Sequence, residues 1–409
     1  MNRRLPKLSS WIWTPTNVGD SPLSSEGQGT VRVEQKRWSA SDGWIVSRTS
    51  EGLGSAQLVL FFGAREAIIA SDAIEKLRAA YPDARVIGCS TAGEICETRV
   101  DDGTVVATAI HFEHTTVRTA CQPLGGAQDS AAVGERIARE LASEDLVHVF
   151  VLAEGLNVNG SELVTGLRNG LPAHVAVTGG LAGDGAAFEH TKVYCGAELQ
   201  GGAVAAVGFY GNRLRIGYGS MGGWDSFGPD RLVTRAEANV LYELDGSSAL
   251  ELYKRYLGPH AATLPASGLL FPLSLRGESG DQRVVRTILG IDVHAGSLIF
   301  AGDIPQGGYA RLMKANVDRL IDGATGAATA CHEPLGASTP SLAILISCVG
   351  RKLVLKQRTE EEVESVRNVL GAGAVLSGFY SYGEIAPFSS SAKCELHNQT
   401  MTITTFGER

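Results

Sequence analysis

The 409-residue chain has no run of about 18 apolar residues, so no transmembrane helix and no membrane insertion are expected. Its start, MNRRLPKLSSWIWTPTN, is broken by prolines and polar residues and lacks the apolar centre of a signal peptide. There is no C-x-x-C among the seven scattered cysteines (Cys89, Cys96, Cys121, Cys195, Cys331, Cys348 and Cys394). An odd number cannot pair completely within one chain, and a reduced, cytoplasmic protein is expected. Absence of C-x-x-C-H excludes covalent c-type haem, and no Cys/His zinc spacing is present. Basic excess is also lacking: 36 Lys plus Arg against 44 Asp plus Glu leave a net charge of −8, which argues against a nucleic-acid partner.

What the chain has in excess is glycine, 50 residues, where a chain this long usually holds about 7%. The glycines follow no G-X-Y period and punctuate apolar segments, so they mark turns and close approaches rather than collagen or one linker. A 44% hydrophobic content builds ordinary cores, and the length predicts two domains. Residues 1–35 read as a loose leader. The Pro, Gly and Ser cluster near residue 260 separates an N-terminal domain, 36–260, from a C-terminal one, 261–409.

One pattern occurs three times. An apolar run with strand character (LVLFFG at 58–63, VHVFVLAEG at 147–155, SLAILISCVG at 341–350) precedes a helical stretch. A second run then enters a glycine turn: VIGCSTAGEI, VTGGLAGDG and LSGFYSYGEIAP, the turns closing on Gly93-Glu94, Gly183-Asp184 and Gly383-Glu384. More strand-like sequence follows each. The reading is an α/β protein with mixed, largely antiparallel sheets and flanking helices, built by repetition of a β-α-β-turn-β unit. Helices are expected before the second and third copies, the latter over GGYARLMKANVDRLIDGATGAATA, and another over AEANVLYELDGSSALELYKRYLG.

The turns hold the candidate binding residues. Ser90, Thr91 and free turn amides suit a carboxylate or another polar group, and Glu94 suits an ammonium. GLAGDG lacks the lysine of a Walker loop and does not match G-x-G-x-x-G; Asp184 in it would repel phosphate. In the third turn Tyr380 and Tyr382 alternate to one face beside Glu384, and His397 and Asn398 come from the strand after it. Arg351 offers a bidentate fork for a carboxylate or propionate. For each of these the alternative is structural: a turn that punctuates the fold, a surface acid or arginine, a histidine that satisfies buried backbone. Ser90 also stands in a G-x-S-x-A sequence, G-C-S-T-A, as a hydrolase nucleophile would. That motif requires a helix directly after the serine, and here Gly93 and then β-branched residues follow.

GCSTAGEI followed by GLAGDGAAF resembles the amino-terminal half of FIST proteins, predicted intracellular signal-transduction sensors. FPLS at 271–274, VVRTILGID, GSLIFAGDIPQGGYARLM, SCVGR, GFYSYGEIAP and ELHNQT resemble the FIST C domain. The resemblance runs from about residue 40 to the end. It implies a small-ligand sensor with no catalytic residue of its own. It has no kinase, PAS or cyclase module beyond the two halves, so its output would pass through a partner such as a histidine kinase. For some members it implies nitric oxide sensing through haem b. A b-type haem requires one axial histidine and an apolar pocket, and His190 and His397 are the better placed candidates here. The contrasting class is a hydrolase or transferase acting through Ser90 or Cys89.

Overall fold

The structure, a computed structural model, describes residues 31–276, 283–332, 339–387 and 393–409. Of the leader expected over 1–35, residues 1–30 lie outside the described residues, and 32–35 belong to the strand Arg32–Ser39.

Three runs are apolar on both faces: Leu58–Gly63, Leu146–Ala153 and Leu342–Cys348. Such strands must be covered on both sides, and these are buried almost throughout. Each pairs in parallel with the strand that follows it, Arg85–Ser90, Ala176–Leu181 or Val375–Ser381. The crossovers are helical: Arg65–Ala70 with Ala73–Ala80, then Gly160–Gly170, then Val349–Leu355 with Thr359–Leu370. A closing strand (Val105–His111, Ala203–Tyr210, Met401–Glu408) runs antiparallel to the first strand of the pair. An opening strand (Arg32–Ser39, Thr116–Pro123, Leu214–Met221) pairs antiparallel with the closing one. The mixed sheets with flanking helices are those the periodicity predicts.

The hairpins that follow the glycine turns do not join the sheets of their own repeats. The first, Glu94–Cys96 with Arg99–Asp101, extends the third sheet, where Ile95 lies opposite Gly378. The second, Val193–Cys195 with Glu198–Gln200, extends the first sheet, with Tyr194 opposite Gly88. The third, Gly383–Pro387 with Cys394–His397, extends the second, with Ile385 opposite Gly179. The exchange closes a cycle, and the inner faces of all three sheets meet in one core. Leu60, Phe62, Phe150, Leu152, Ile344, Ile346 and Phe379 share it, and Phe62 stacks on Phe379 at 4.6 Å. Outside the second sheet, the helices Ser130–Leu141 and Gly160–Gly170 touch backbone to backbone. A Cβ on Gly166 would lie 2.0 Å from the Ala131 carbonyl oxygen, so no other residue fits there.

Between the opening strand of the third repeat and its first parallel strand the chain forms a second unit over residues 225–314, with its own eight-stranded sheet. Its core gathers Leu241, Leu250, Tyr253, Leu275, Leu298 and Leu312 around the helix Ala249–Leu257. Residue 260 falls inside this unit, in the short 3-10 helix Gly258–Thr263. Two expected helices are partly strand. Val240–Leu244 and Tyr309–Lys314 both pair in the unit's sheet, and helix begins only at Ala249 and Val317. Pairing with neighbouring strands outweighs local helical preference there. The expectation of a wholly reduced set of cysteines is corrected at one pair: Cys121 and Cys195 form a disulfide, their Cα atoms 5.7 Å apart, while the five others are free and buried. No helix among the described residues is long and apolar enough to cross a membrane.

Ile95 is the apolar anchor of the exchanged first hairpin and is fully buried. Ile95→Ala is expected to lower unfolding stability by about 2–5 kcal/mol in urea titration. A cost under about 0.5 kcal/mol, the range of a surface substitution, would show that the exchange does not hold the third sheet.

Candidate functional site at the meeting of three glycine turns

Because each hairpin leaves its own sheet, the three turns that launch them come together. The amide of Ala92 donates to the Tyr380 carbonyl, and that of Tyr380 donates to the Gly93 carbonyl, both at 2.8 Å. Gly183 N–H donates to Ser90 O at 2.9 Å, and Gly185 N–H to Thr91 O at 3.1 Å. Tyr382 N–H closes the triangle on Leu181 O at 3.4 Å. Gly93, at φ 138°, holds a conformation that side chains rarely adopt, and a Cβ there would meet the Lys352 ammonium at 2.4 Å.

The three acids of the turns behave in two ways. Glu94 is buried and accepts from Thr91 Oγ1 (2.5 Å), Thr104 N (3.0 Å) and Thr104 Oγ1 (2.8 Å). Glu384 repeats the arrangement with Ser381 Oγ (2.6 Å), Thr400 N (3.2 Å) and Thr400 Oγ1 (3.0 Å). Both carboxylates tie a hairpin to the start of its closing strand. Burial pushes Glu94 up to about 7 and Glu384 up to about 8, against the hydroxyl and amide donors that pull the other way. Asp184 lies in the more open turn. Its partial burial raises it, but the amides of His190, Glu189 and Phe188 and the Tyr382 hydroxyl outweigh this and hold it below the usual carboxylate range. The Tyr382 ring stacks on Phe188, centroids 4.3 Å apart.

The other residues singled out in the sequence are drawn into the interior. Arg351 is fully buried. It donates to Glu362 (3.1 and 2.8 Å), to Leu320 O (2.7 Å) and to Gly222 O, so its fork joins the helix Thr359–Leu370 to the helix Val317–His332 and to the chain just after the strand Leu214–Met221. Glu362 also accepts from Ser347 (3.0 Å) and from the Tyr380 hydroxyl (2.6 Å). Asn398 donates to Tyr382 O and accepts from Thr287 N, both at 3.3 Å. His397 is buried with Nε2 2.8 Å from Ala386 O, and burial pushes it down to about 4. His190 is exposed beside a hollow lined by Arg65, Glu154, Glu189 and Lys192. A haem needs an apolar pocket at its axial histidine. One candidate ring is locked to a carbonyl and the other faces charges, so these residues do not fit the group. Ser90 Oγ accepts from Lys192 N at 2.8 Å, and no histidine or lysine side chain bonds it among the described residues. Burial raises the Cys89 thiol far above its ordinary range.

Open space lies where the turns face the second unit. One hollow of about 550 Å³ is lined by Ala92, Asp102, Gly185, Ala186, Lys352 and Lys356. Another of about 360 Å³ is apolar, walled by Phe188, Pro265, Leu269, Ile288 and Leu289. Ala186 and Leu353 line both. Lys352 Nζ donates to Ala92 O at 2.9 Å and to Asp102, and sits 5.5 Å over the Tyr380 ring. Sequence reasoning missed Lys352, Leu353 and Glu362. The short helix Val349–Leu355 presents Lys352 and Leu353 outward and Arg351 inward, and its shortness hid that division.

Comparison with known proteins adds three findings. Residues 57–247 match the FIST N domain and residues 249–387 the FIST C domain. No curated protein matches. Among solved structures, a cyanuric acid hydrolase from A. caulinodans is similar at 9% identity and a TM-score of 0.36, over 93% of this chain and 99% of that one; at that score the likeness bears on nothing further.

Two measurements check the buried network. Glu384 has a folded pKa of about 8 against an ordinary 4.5, so the folded state holds the extra proton between those values and stability falls as pH rises through that window. His397 and His148, pushed down to about 4 and about 3, act oppositely below their ordinary 6.5, and Glu94 adds a decline of the same sign up to about 7, which leaves pH 7–8 as the interval that reports Glu384. Glu384→Gln is expected to flatten the decline there, read as urea-unfolding free energy against pH; an unchanged slope refutes the assignment. Arg351→Ala strands the Glu362 carboxylate in the interior and is expected to cost about 3–5 kcal/mol.

Proposed function

Since the chain belongs to the FIST family, whose domains are small-ligand-binding sensory modules of signal transduction, we propose that its ligand occupies the two joined hollows beside Leu353. The observation that supports this reading is the convergence, at Ala186 and Leu353, of an apolar hollow with one edged by Lys352, Lys356 and Asp102. The ligand is then a small amphipathic molecule. Its polar or acidic end meets Lys352 and Lys356, and its apolar body packs on Phe188, Leu269 and Ile288. Ser90, Thr91, Glu94 and Glu384 act behind this surface by holding the turns in place, and Asp184 by shaping the loop that carries Phe188.

A ligand held there touches the turns on one side and the second unit on the other. It favours whichever relative position of the two gives it more contact, and that difference is what a partner reads. The partner is a cytoplasmic signalling protein such as a histidine kinase, and the chain acts in the same compartment.

A thermal-shift screen of small amphipathic acids tests the proposal. A ligand at 100 times its dissociation constant is expected to add about 2.7 kcal/mol of stability. Leu353 is 36% exposed, so Leu353→Trp is tolerated by the fold and fills the passage between the hollows. It should abolish the shift. A ligand that stabilises the Trp variant as well as the parent binds elsewhere, and the proposal fails.

A further inference from the structure

The three sheet-to-sheet joints follow one plan, so they can be compared residue by residue. Ile95 opposite Gly378 corresponds to Tyr194 opposite Gly88. Two residues on, Glu97 therefore corresponds to Gly196, and both turn in the left-handed region, at φ 56° and 72°. Gln35 faces Thr108, the fourth residue of its closing strand; Ala120 faces Ala206, the fourth of the next. Leu376 and Val86 are each the second residue of the second parallel strand.

In the joint between the third and first sheets these positions are filled. The Glu97 carboxylate accepts from Arg367 (2.6 Å), Arg48 (3.1 Å) and the Leu376 amide (3.3 Å), and Gln35 Nε2 donates to Leu376 O at 2.8 Å. In the joint between the first and second sheets, glycine stands for Glu97 and alanine for Gln35. The result is a cleft of about 810 Å³, lined by Val86, Ala120 and Gly196. The cationic side is kept. Arg78 lies in the last turn of its helix as Arg367 does in its own, and Arg78 and Arg85 both line the cleft. Neither has an ion-pair partner among the described residues. The Tyr194 hydroxyl, buried and lining the same cleft, has Arg78 beside it and no acceptor for its own proton among the described residues. A buried phenol whose proton has no acceptor is costly unless something fills the role.

We propose that this cleft binds a small carboxylate, whose carboxyl group stands where that of Glu97 stands in the sister joint and accepts from Arg78, Arg85 and the Tyr194 hydroxyl. Glu75 and Glu140 line the same cleft and disfavour a second negative charge, so the ligand is a monocarboxylate. The site is separate from the hollows beside Leu353. The corresponding joint between the second and third sheets has Pro387 at the position of Glu97.

The test is calorimetric titration with benzoate and with its uncharged isostere benzamide, at fixed ionic strength. Benzoate is expected to bind, and benzamide to bind about tenfold more weakly or worse, since it lacks the charge that an arginine fork selects. Arg78→Ala should weaken benzoate by about tenfold or more, and Tyr194→Phe by several-fold. Tyr194→Phe removes a single hydroxyl that only Arg78 faces, so it keeps the fold and guards against misfolding of the other variants. Gly196→Glu, which places a carboxylate in the cleft, should abolish binding. No heat with benzoate at about 10 mM, or equal binding by parent, Arg78→Ala and Gly196→Glu, overturns the proposal. Leu353→Trp is the control: it should bind benzoate like the parent, and loss there would move the ligand to the other hollows and overturn this site alone.

Discussion

The fold depends on main-chain hydrogen bonds among three turns that belong to three different repeats. None of the turns could bury its amides and carbonyls alone, because an unpaired buried peptide group costs as much as a lost hydrogen bond. Each is satisfied by the other two: Ala92 and Gly93 by Tyr380, Gly183 and Gly185 by Ser90 and Thr91, Tyr382 by Leu181. The exchange of hairpins follows from this, as does the common core in which Phe62 meets Phe379. The buried Glu94 and Glu384 complete the arrangement by fixing each hairpin to its closing strand.

Much of this was legible in the chain. Doubly apolar runs, helices after them and glycine turns ending in an acid are local patterns, and they placed the three repeats and the mixed sheets. What was not legible is which partner each hairpin finds. Ile95 reads as a strand residue whether it pairs with its own sheet or with Gly378, because alternation reports the exposure of a strand and not its neighbour. The same limit governs the candidate residues. Arg351 and Tyr380 have the chemistry of ligand contacts, and the structure assigns both to Glu362, a helix residue that directly follows the solvent-facing acids Glu360 and Glu361. Only the packing of that helix shows that one acid of the run Glu360–Glu362 is interior.

Pseudosymmetry of this kind separates structure from ligand chemistry. Positions that repeat, such as Thr104 with Thr400 as donors to Glu94 and Glu384, serve the fold. Positions that break the pattern do something local. Asp184 departs from the two buried glutamates and opens its turn to the surface. Gly196 departs from Glu97 and leaves arginines without a carboxylate. The second unit, present in one repeat only, supplies a wall for the turns that the other repeats lack.

The exchange also sets an order for assembly on the ribosome. The first sheet takes its hairpin from residues 193–200 and so has all its strands once about half of the chain has emerged. The second sheet waits for residues 383–397, and the third for its closing strand at 401–408. Until then the strand Ala176–Leu181 keeps an unpaired edge through the synthesis of some two hundred further residues. The nascent chain carries one finished sheet and one exposed edge for nearly half of its production, and that edge is where a chaperone or a misfolding partner finds it first.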